Sequence, residues 1–192
     1  MTKLVEPIRS VQWQNNHVKL LDQRLLPHET IYLTLTTIKD IWDAIFELKV
    51  RGAPAIGISA AYGLCLWSQS FDGDDVKRYL TELQEQATYL ETARPTAVNL
   101  FWAVRRIVKI ANTENSVTKA KQAVLTEAKL IQDEDEAVCR AIGEHGLALF
   151  NDGDTLLTHC NAGGIATARY GTALAPFYLA KEHGITLKCF RV

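Results

Sequence analysis

The chain has 192 residues, a formal net charge of -1, and 47% hydrophobic against 22% charged residues, the composition of an ordinary globular protein with enough material for a full core. Near neutrality argues against a nucleic-acid or anionic-membrane surface as the main partner, and no apolar run approaches the roughly 20 residues that span a bilayer. The N-terminus has no apolar signal core, which predicts a cytoplasmic protein, and the four cysteines form no Cys-x-x-Cys pair, which argues against zinc and redox motifs.

Residues 9–14 and 17–21 read as two strands around an Asn15-Asn16 hairpin turn, with a third strand over 30–36. Thr37 is the predicted N-cap of a helix with Asp40 in its first turn, and Ile38, Ile41, Trp42, Ile45 and Phe46 recur at helical spacing. Helices are then expected from Pro54 to about Gln69, along the Val76–Leu90 stripe, from Pro95 to about Ala111, from a Ser116 cap to about Gln132, and over about 134–149. The run Asp133-Glu134-Asp135-Glu136 reads as the solvated acidic start of that last helix, not as a metal site. After the Asn151-Asp152-Gly153-Asp154 turn, a strand over 154–159, a helix over about 164–183 closed by Gly184, and a strand over 185–191 make one βαβ unit. A two-stranded parallel sheet is marginal alone, so the expected remainder of this α/β unit lies outside the sequence.

Three stretches carry candidate chemistry. Thr158-His-Cys-Asn-Ala-Gly-Gly164 joins a strand to a predicted helix through small residues, and a helix start favours a thiolate at Cys160. Arg51-Gly52-Ala53-Pro54 places an arginine ahead of a predicted helix-initiating proline, and Arg94-Pro95-Thr96 repeats the design. Helix N-termini offer unpaired N–H groups and arginine adds a planar fork for phosphate oxygens, so convergence would make an anion clamp. Each arginine alone is equally a surface charge. Cys65, Cys139 and Cys189 sit among apolar neighbours as core fillers. His159 and Cys160, adjacent in an extended segment, point to opposite faces and do not form a nucleophilic pair.

Arg51-Gly-Ala-Pro-Ala-Ile-Gly57, Arg94-Pro-Thr-Ala-Val-Asn-Leu100 and Thr158–Gly164, in this order and at this spacing, resemble the motifs of the methylthioribose-1-phosphate isomerase family, which is shared with the alpha, beta and delta subunits of translation initiation factor 2B. The resemblance implies an α+β to α/β fold: an N-terminal domain of a small sheet plus helices over residues 1–150, then over 151–192 the first βαβ unit of a Rossmann-like domain. It implies conversion of 5-methylthioribose 1-phosphate to 5-methylthioribulose 1-phosphate in methionine salvage, in a homodimer with no metal or organic cofactor and no nucleic-acid or membrane partner. It carries the catalytic cysteine onto Cys160 and substrate binding onto Arg51, Gly52, Ala53 and Arg94. The family's catalytic aspartate motif is not found before Val192, so these 192 residues alone are expected to be inactive. Two other readings of the resemblance are a non-catalytic regulatory subunit related to translation initiation factor 2B and an isomerase of another pentose phosphate such as ribose 1,5-bisphosphate. The apolar character of Ile56, Leu100 and Trp102 suits a methylthio group better than a second phosphate.

Overall fold

The computed structural model describes residues 7–191, so the reading of the N-terminal residues 1–6 as lacking a signal core lies outside the described part. Asn15 and Asn16, at φ 44° and 61°, turn the chain between β1 (Val11–Gln14) and β2 (His17–Leu21); asparagine tolerates this left-handed region. β3 (Tyr32–Leu35) pairs with the other edge of β2, giving an antiparallel sheet in the order β1-β2-β3. Val18 and Leu20 of β2 alternate inward and are fully buried, so one face of the sheet closes the end of a helical bundle.

The bundle is built around α2 (Ala53–Ser70), which is buried along nearly its whole length. Its alanines, glycines and serines let neighbours approach closely. A Cβ at Gly57 would lie 2.9 Å from the Asn99 carbonyl oxygen of α4 (Val98–Ala111). α1 (Ile38–Phe46) begins at a capping box in which Thr37 and Asp40 satisfy each other's backbone N–H groups. α3 (Val76–Glu91) begins at Asp75, whose side chain accepts from Lys77 and Arg78 N–H groups. Together with α5 (Val117–Leu147) these helices enclose the main core.

Three helix expectations are corrected. The predicted breaks near residue 133 do not occur: α5 runs unbroken for 31 residues. No proline or glycine lies between 117 and 142 to interrupt it, and the acidic run falls mid-helix. There Glu134 pairs with Arg106, and Glu136 with Arg9 and Arg169. Pro95 does not start α4; it sits in a turn closed by the Ala97 N–H donating to the Arg94 carbonyl at 3.0 Å, the second turn position where proline's fixed φ fits.

The predicted helix over 164–183 shrinks to a 3-10 turn at Gly164–Ala166 and a short α6 (Ala175–Glu182). Between them Tyr170 and Gly171 take φ of 65° and 79°. The Thr167 hydroxyl accepts from the Gly171 N–H at 3.1 Å and donates to the Arg169 carbonyl at 3.0 Å, replacing the helical bonds these groups would otherwise make. α6 crosses between β4 (Thr155–Thr158) and β5 (Lys188–Arg191), which pair in parallel. A second apolar cluster of Cys139, Tyr170, Ala175 and Leu179 joins the end of α5 to α6. The strand-plus-helix part followed by a βαβ unit thus has the expected α+β to α/β character.

Candidate functional site

The start of α2 is where the first motif lands. Gly52 is the N-cap, at φ 99°, and the helix has neither a capping side chain nor an acid in its first turn. Its leading N–H groups therefore have no side-chain acceptor. Ala53 and Arg51 are exposed beside them. Pro54 occupies the second helical position, where its missing N–H costs nothing.

Cys160 follows β4 as an exposed free thiol at φ 69°. The helix start expected just after it is absent, so the thiol is not held at the positive end of an α-helix. Its loop folds back on itself instead. Gly163 and Gly171 form an isolated antiparallel bridge, and the Thr172 N–H donates to the Ala162 carbonyl at 3.0 Å. Gly171 must be glycine here, because a Cβ would sit 2.3 Å from the Ala162 carbonyl oxygen. The bend turns the loop onto the bundle.

The start of α2 touches the chain just past the cysteine motif. A Cβ at Gly52 would lie 2.4 Å from the Ala166 carbonyl oxygen, so the 3-10 turn following Cys160 rests on the cap of α2. The structure therefore gathers Arg51, Gly52 and Ala53 with the Cys160 loop. Arg94 is linked to this junction only through the packing of α4 on α2. It lies in the turn leading into α4, and the first residues of α4 pack on the second turn of α2 through Gly57 and Asn99.

A cleft of about 490 Å³ opens beside this point, between the starts of α2 and α4 and the middle of α5. Pro54, Gly57, Asn99, Trp102, Asp135 and Val138 are among its walls. Of the three apolar residues expected to face a substrate, Ile56 and Leu100 are instead in the core, at 3% and 0% exposure; only Trp102 lines the cleft. Trp102 also lines a larger hollow of about 730 Å³ between α4 and α5, and Arg51, Gly52, Ala53, Arg94 and Cys160 line neither of the two.

Two residues at this junction carry no motif in the sequence. Asp135 accepts the Ala168 N–H at 2.7 Å, with the Cys139 thiol 3.9 Å from the same oxygen, so a half-buried carboxylate ties the cysteine loop to α5. Burial pushes its pKa up, against the lowering effect of the Ala168 hydrogen bond. Burial and the Asp135 charge raise the Cys139 thiol to about 11, leaving it a neutral packing group. Gln23, buried just after β2, donates through its side chain to the Ile165 carbonyl at 2.8 Å. An isolated Asp or Gln has no pattern that sequence reading could have used; only the fold brings them to the loop. Among the described residues no cluster of His, Cys, Asp and Glu is arranged to hold a metal ion, and no helix is long and apolar enough to cross a membrane.

The chain is similar to several known proteins. A methylthioribose-1-phosphate isomerase of Geobacillus thermodenitrificans is 57% identical over 182 residues, 95% of this chain and 51% of that protein. One of Bacillus licheniformis is 55% identical over the same share of this chain and 52% of its own. The chain thus spans about half the length of these relatives. Among solved structures, the translation initiation factor eIF-2B subunit delta of A. fulgidus superposes with a TM-score of 0.89 at 38% identity, covering 96% of this chain and 54% of that one. The 5-methylthioribose 1-phosphate isomerase of Pyrococcus horikoshii OT3 gives 0.88 at 30% identity, covering 95% and 60%. The description "Initiation factor 2 subunit family" matches residues 49–192, from just before the Arg51 motif through the Cys160 loop, and the chain belongs to that family.

Proposed function

We propose that the chain supplies the anion-binding and thiol-bearing part of an isomerase that converts 5-methylthioribose 1-phosphate to 5-methylthioribulose 1-phosphate. The observation that carries the reading is the seating of the Cys160 loop on the cap of α2, through Gly52 and Ala166. The names and the 57% and 55% identity of the Geobacillus and Bacillus relatives support it.

An aldose isomerase ordinarily works on a free aldehyde, whereas here the anomeric oxygen carries phosphate. The enzyme must open the ring and move hydrogen from C2 to C1 while keeping that phosphate. The uncapped N–H groups at the start of α2, with the Arg51 and Arg94 guanidinium groups, are assigned to the phosphate, fixing it by charge-assisted bonds. Cys160, on the loop that rests on this cap, is assigned to the C1–C2 side of the sugar, where a thiolate would accept the C2 proton. A proton must also reach the ring oxygen as the C1–O bond breaks. No residue in these 192 is assigned that task, and the chain by itself is expected to bind without turnover. A soluble, cytoplasmic homodimer acting on a small sugar phosphate, without cofactor, completes the reading. A domain division near residue 150, as the sequence suggests, would put phosphate binding in one domain and the thiol at the edge of the next.

The test uses the full-length product of the same reading frame with 5-methylthioribose 1-phosphate. Cys160→Ala should lower kcat by at least roughly 100-fold, the scale of a lost general base, while Arg51→Ala should mainly raise KM. Substrate deuterated at C2 then separates the routes. Washout of label to solvent identifies proton transfer, and full retention in the product identifies a hydride shift. Unchanged turnover in Cys160→Ala removes the cysteine from the mechanism. The A. fulgidus structure, equally close in fold, favours a second reading as a regulatory subunit of an initiation-factor assembly; co-purification with such subunits and no isomerase activity would establish it. Ribose 1,5-bisphosphate belongs in the same assay, as the rival sugar substrate.

A further inference from the structure

Gln23 is held at three points. Its backbone N–H donates to the Lys49 carbonyl at 2.8 Å. Its side-chain Nε2 donates to the Ile165 carbonyl at 2.8 Å and reaches the Arg51 carbonyl at 3.4 Å. One amide nitrogen therefore spans two stretches that lie far apart in the chain, one ending in the α2 cap and the other following Cys160. The residue is only 9% exposed, so the bonds are largely out of competition with water.

Its neighbours fix the direction from which it reaches. The Asp22 N–H donates to the Ile31 carbonyl at 2.9 Å. The Asp22 carboxylate accepts from the Arg24 backbone N–H, Nε and Nη2 at 3.1, 3.0 and 2.7 Å. Arg24 also donates to Glu47 at 2.9 Å, closing a brace around the turn after β2. The Gln23 side chain projects from this brace with its backbone already immobilised.

We propose that Gln23 is a positioning residue for the sugar-phosphate site, keeping the Arg51–Ala53 stretch and the Cys160 loop in one mutual register. The proposal deepens the isomerase reading above and rests on it. The Gly52–Ala166 contact by itself resists compression but not sliding, because van der Waals contact has little directionality. A hydrogen bond is directional and fixes the slide. An apolar side chain at this point would leave the Ile165 carbonyl without its partner, and the loop would relax to find another. The anion-binding groups and the thiol, each intact, would then no longer match one sugar phosphate.

The experiment uses the full-length product of the same reading frame, assayed with 5-methylthioribose 1-phosphate and melted in parallel. Gln23→Leu is expected to lower kcat/KM by about 10- to 100-fold, the scale of a sub-ångström to one-ångström misplacement. Arg51→Ala and the double variant complete a cycle: Gln23→Leu should cost much less once the Arg51 side chain is gone, because the guanidinium that the alignment places is no longer there to be misplaced. Independent, additive losses would show a general weakening of the fold and overturn the proposal, as would kcat/KM within twofold of wild type, roughly the scatter of neutral surface changes. Should Gln23→Leu fail to fold, Gln23→Met, closer in length, takes its place; if both fail, the role is structural and the proposal falls. An inactive wild-type protein sinks the isomerase reading and this proposal together. An active wild type with an unaffected Gln23 variant sinks the proposal alone.

Discussion

Asp135 shows how position changes the meaning of a residue. Read as one of four acids in a solvated helix start, it belongs in water; in the folded chain it points inward and accepts the Ala168 N–H at 2.7 Å. Its pKa lies above the ordinary value of 3.8 because burial disfavours the charge. The sign follows from linkage. A carboxyl group whose folded pKa is raised contributes fully below its unfolded pKa, and that contribution is lost as pH rises through the folded value. Asp135→Asn keeps an acceptor for Ala168 and removes the charge. It should therefore melt higher than wild type at pH 7, with the difference shrinking on acidification toward pH 3.8. Parallel thermal melts across that range check it, and an Asn variant less stable at neutral pH would show that the carboxylate charge is stabilising. The glycine at 52 was legible as part of an anion-binding motif. What it approaches, the Ala166 backbone, was not, because the partner lies more than a hundred positions further along.

At the scale of elements, the hairpin, α1, α2 and α3 follow their local signals closely, because each has its start written beside it: Asn-Asn, a Thr-x-x-Asp box, Gly-Ala-Pro, an Asp cap. α5 and the segment after Gly164 do not. In α5 the acidic run imitates a boundary, but Arg9, Arg106 and Arg169 supply counter-charges from elsewhere in the fold. After Gly164, tertiary contacts with Gly52 and Asp135 hold the chain in a loop where periodicity suggested a helix. The packing of α4 on α2 carries its own prediction. Gly57→Ala would set a Cβ 2.9 Å from the Asn99 backbone oxygen, against rigid backbone on both helices. Overpacking of this kind costs about 1–3 kcal/mol. Chemical denaturation should show the midpoint falling at an unchanged m-value, and wild-type stability would mean that α4 shifts freely.

Across the whole molecule, the main core fills the bundle beneath the antiparallel sheet, and a smaller cluster links α5 to α6. The β4–β5 pair leaves apolar side chains in solvent. Leu157 and Phe190, directly opposite each other in the ladder, are 74% and 66% exposed. Parallel sheets ordinarily bury both faces, and exposed apolar strand surface promotes association. The double change Leu157→Thr, Phe190→Thr should reduce self-association of the 192-residue chain in sedimentation velocity while leaving its melting temperature nearly unchanged. Equal association in both proteins would place the sticky surface elsewhere.

Sequence alone determined the family-bearing motifs, the strands and the helices through α3, and the residue types offered to an anion and a thiol reaction. These depend on local conformational preference and on short spacings, which a linear text records. Tertiary structure decided that the Cys160 loop sits on the α2 cap without a helix of its own, that Ile56 and Leu100 are core, and that Gln23 and Asp135 reach the same loop. Those outcomes depend on which distant backbone carbonyls and N–H groups meet once apolar faces are buried, and nothing in the local sequence specifies such partners.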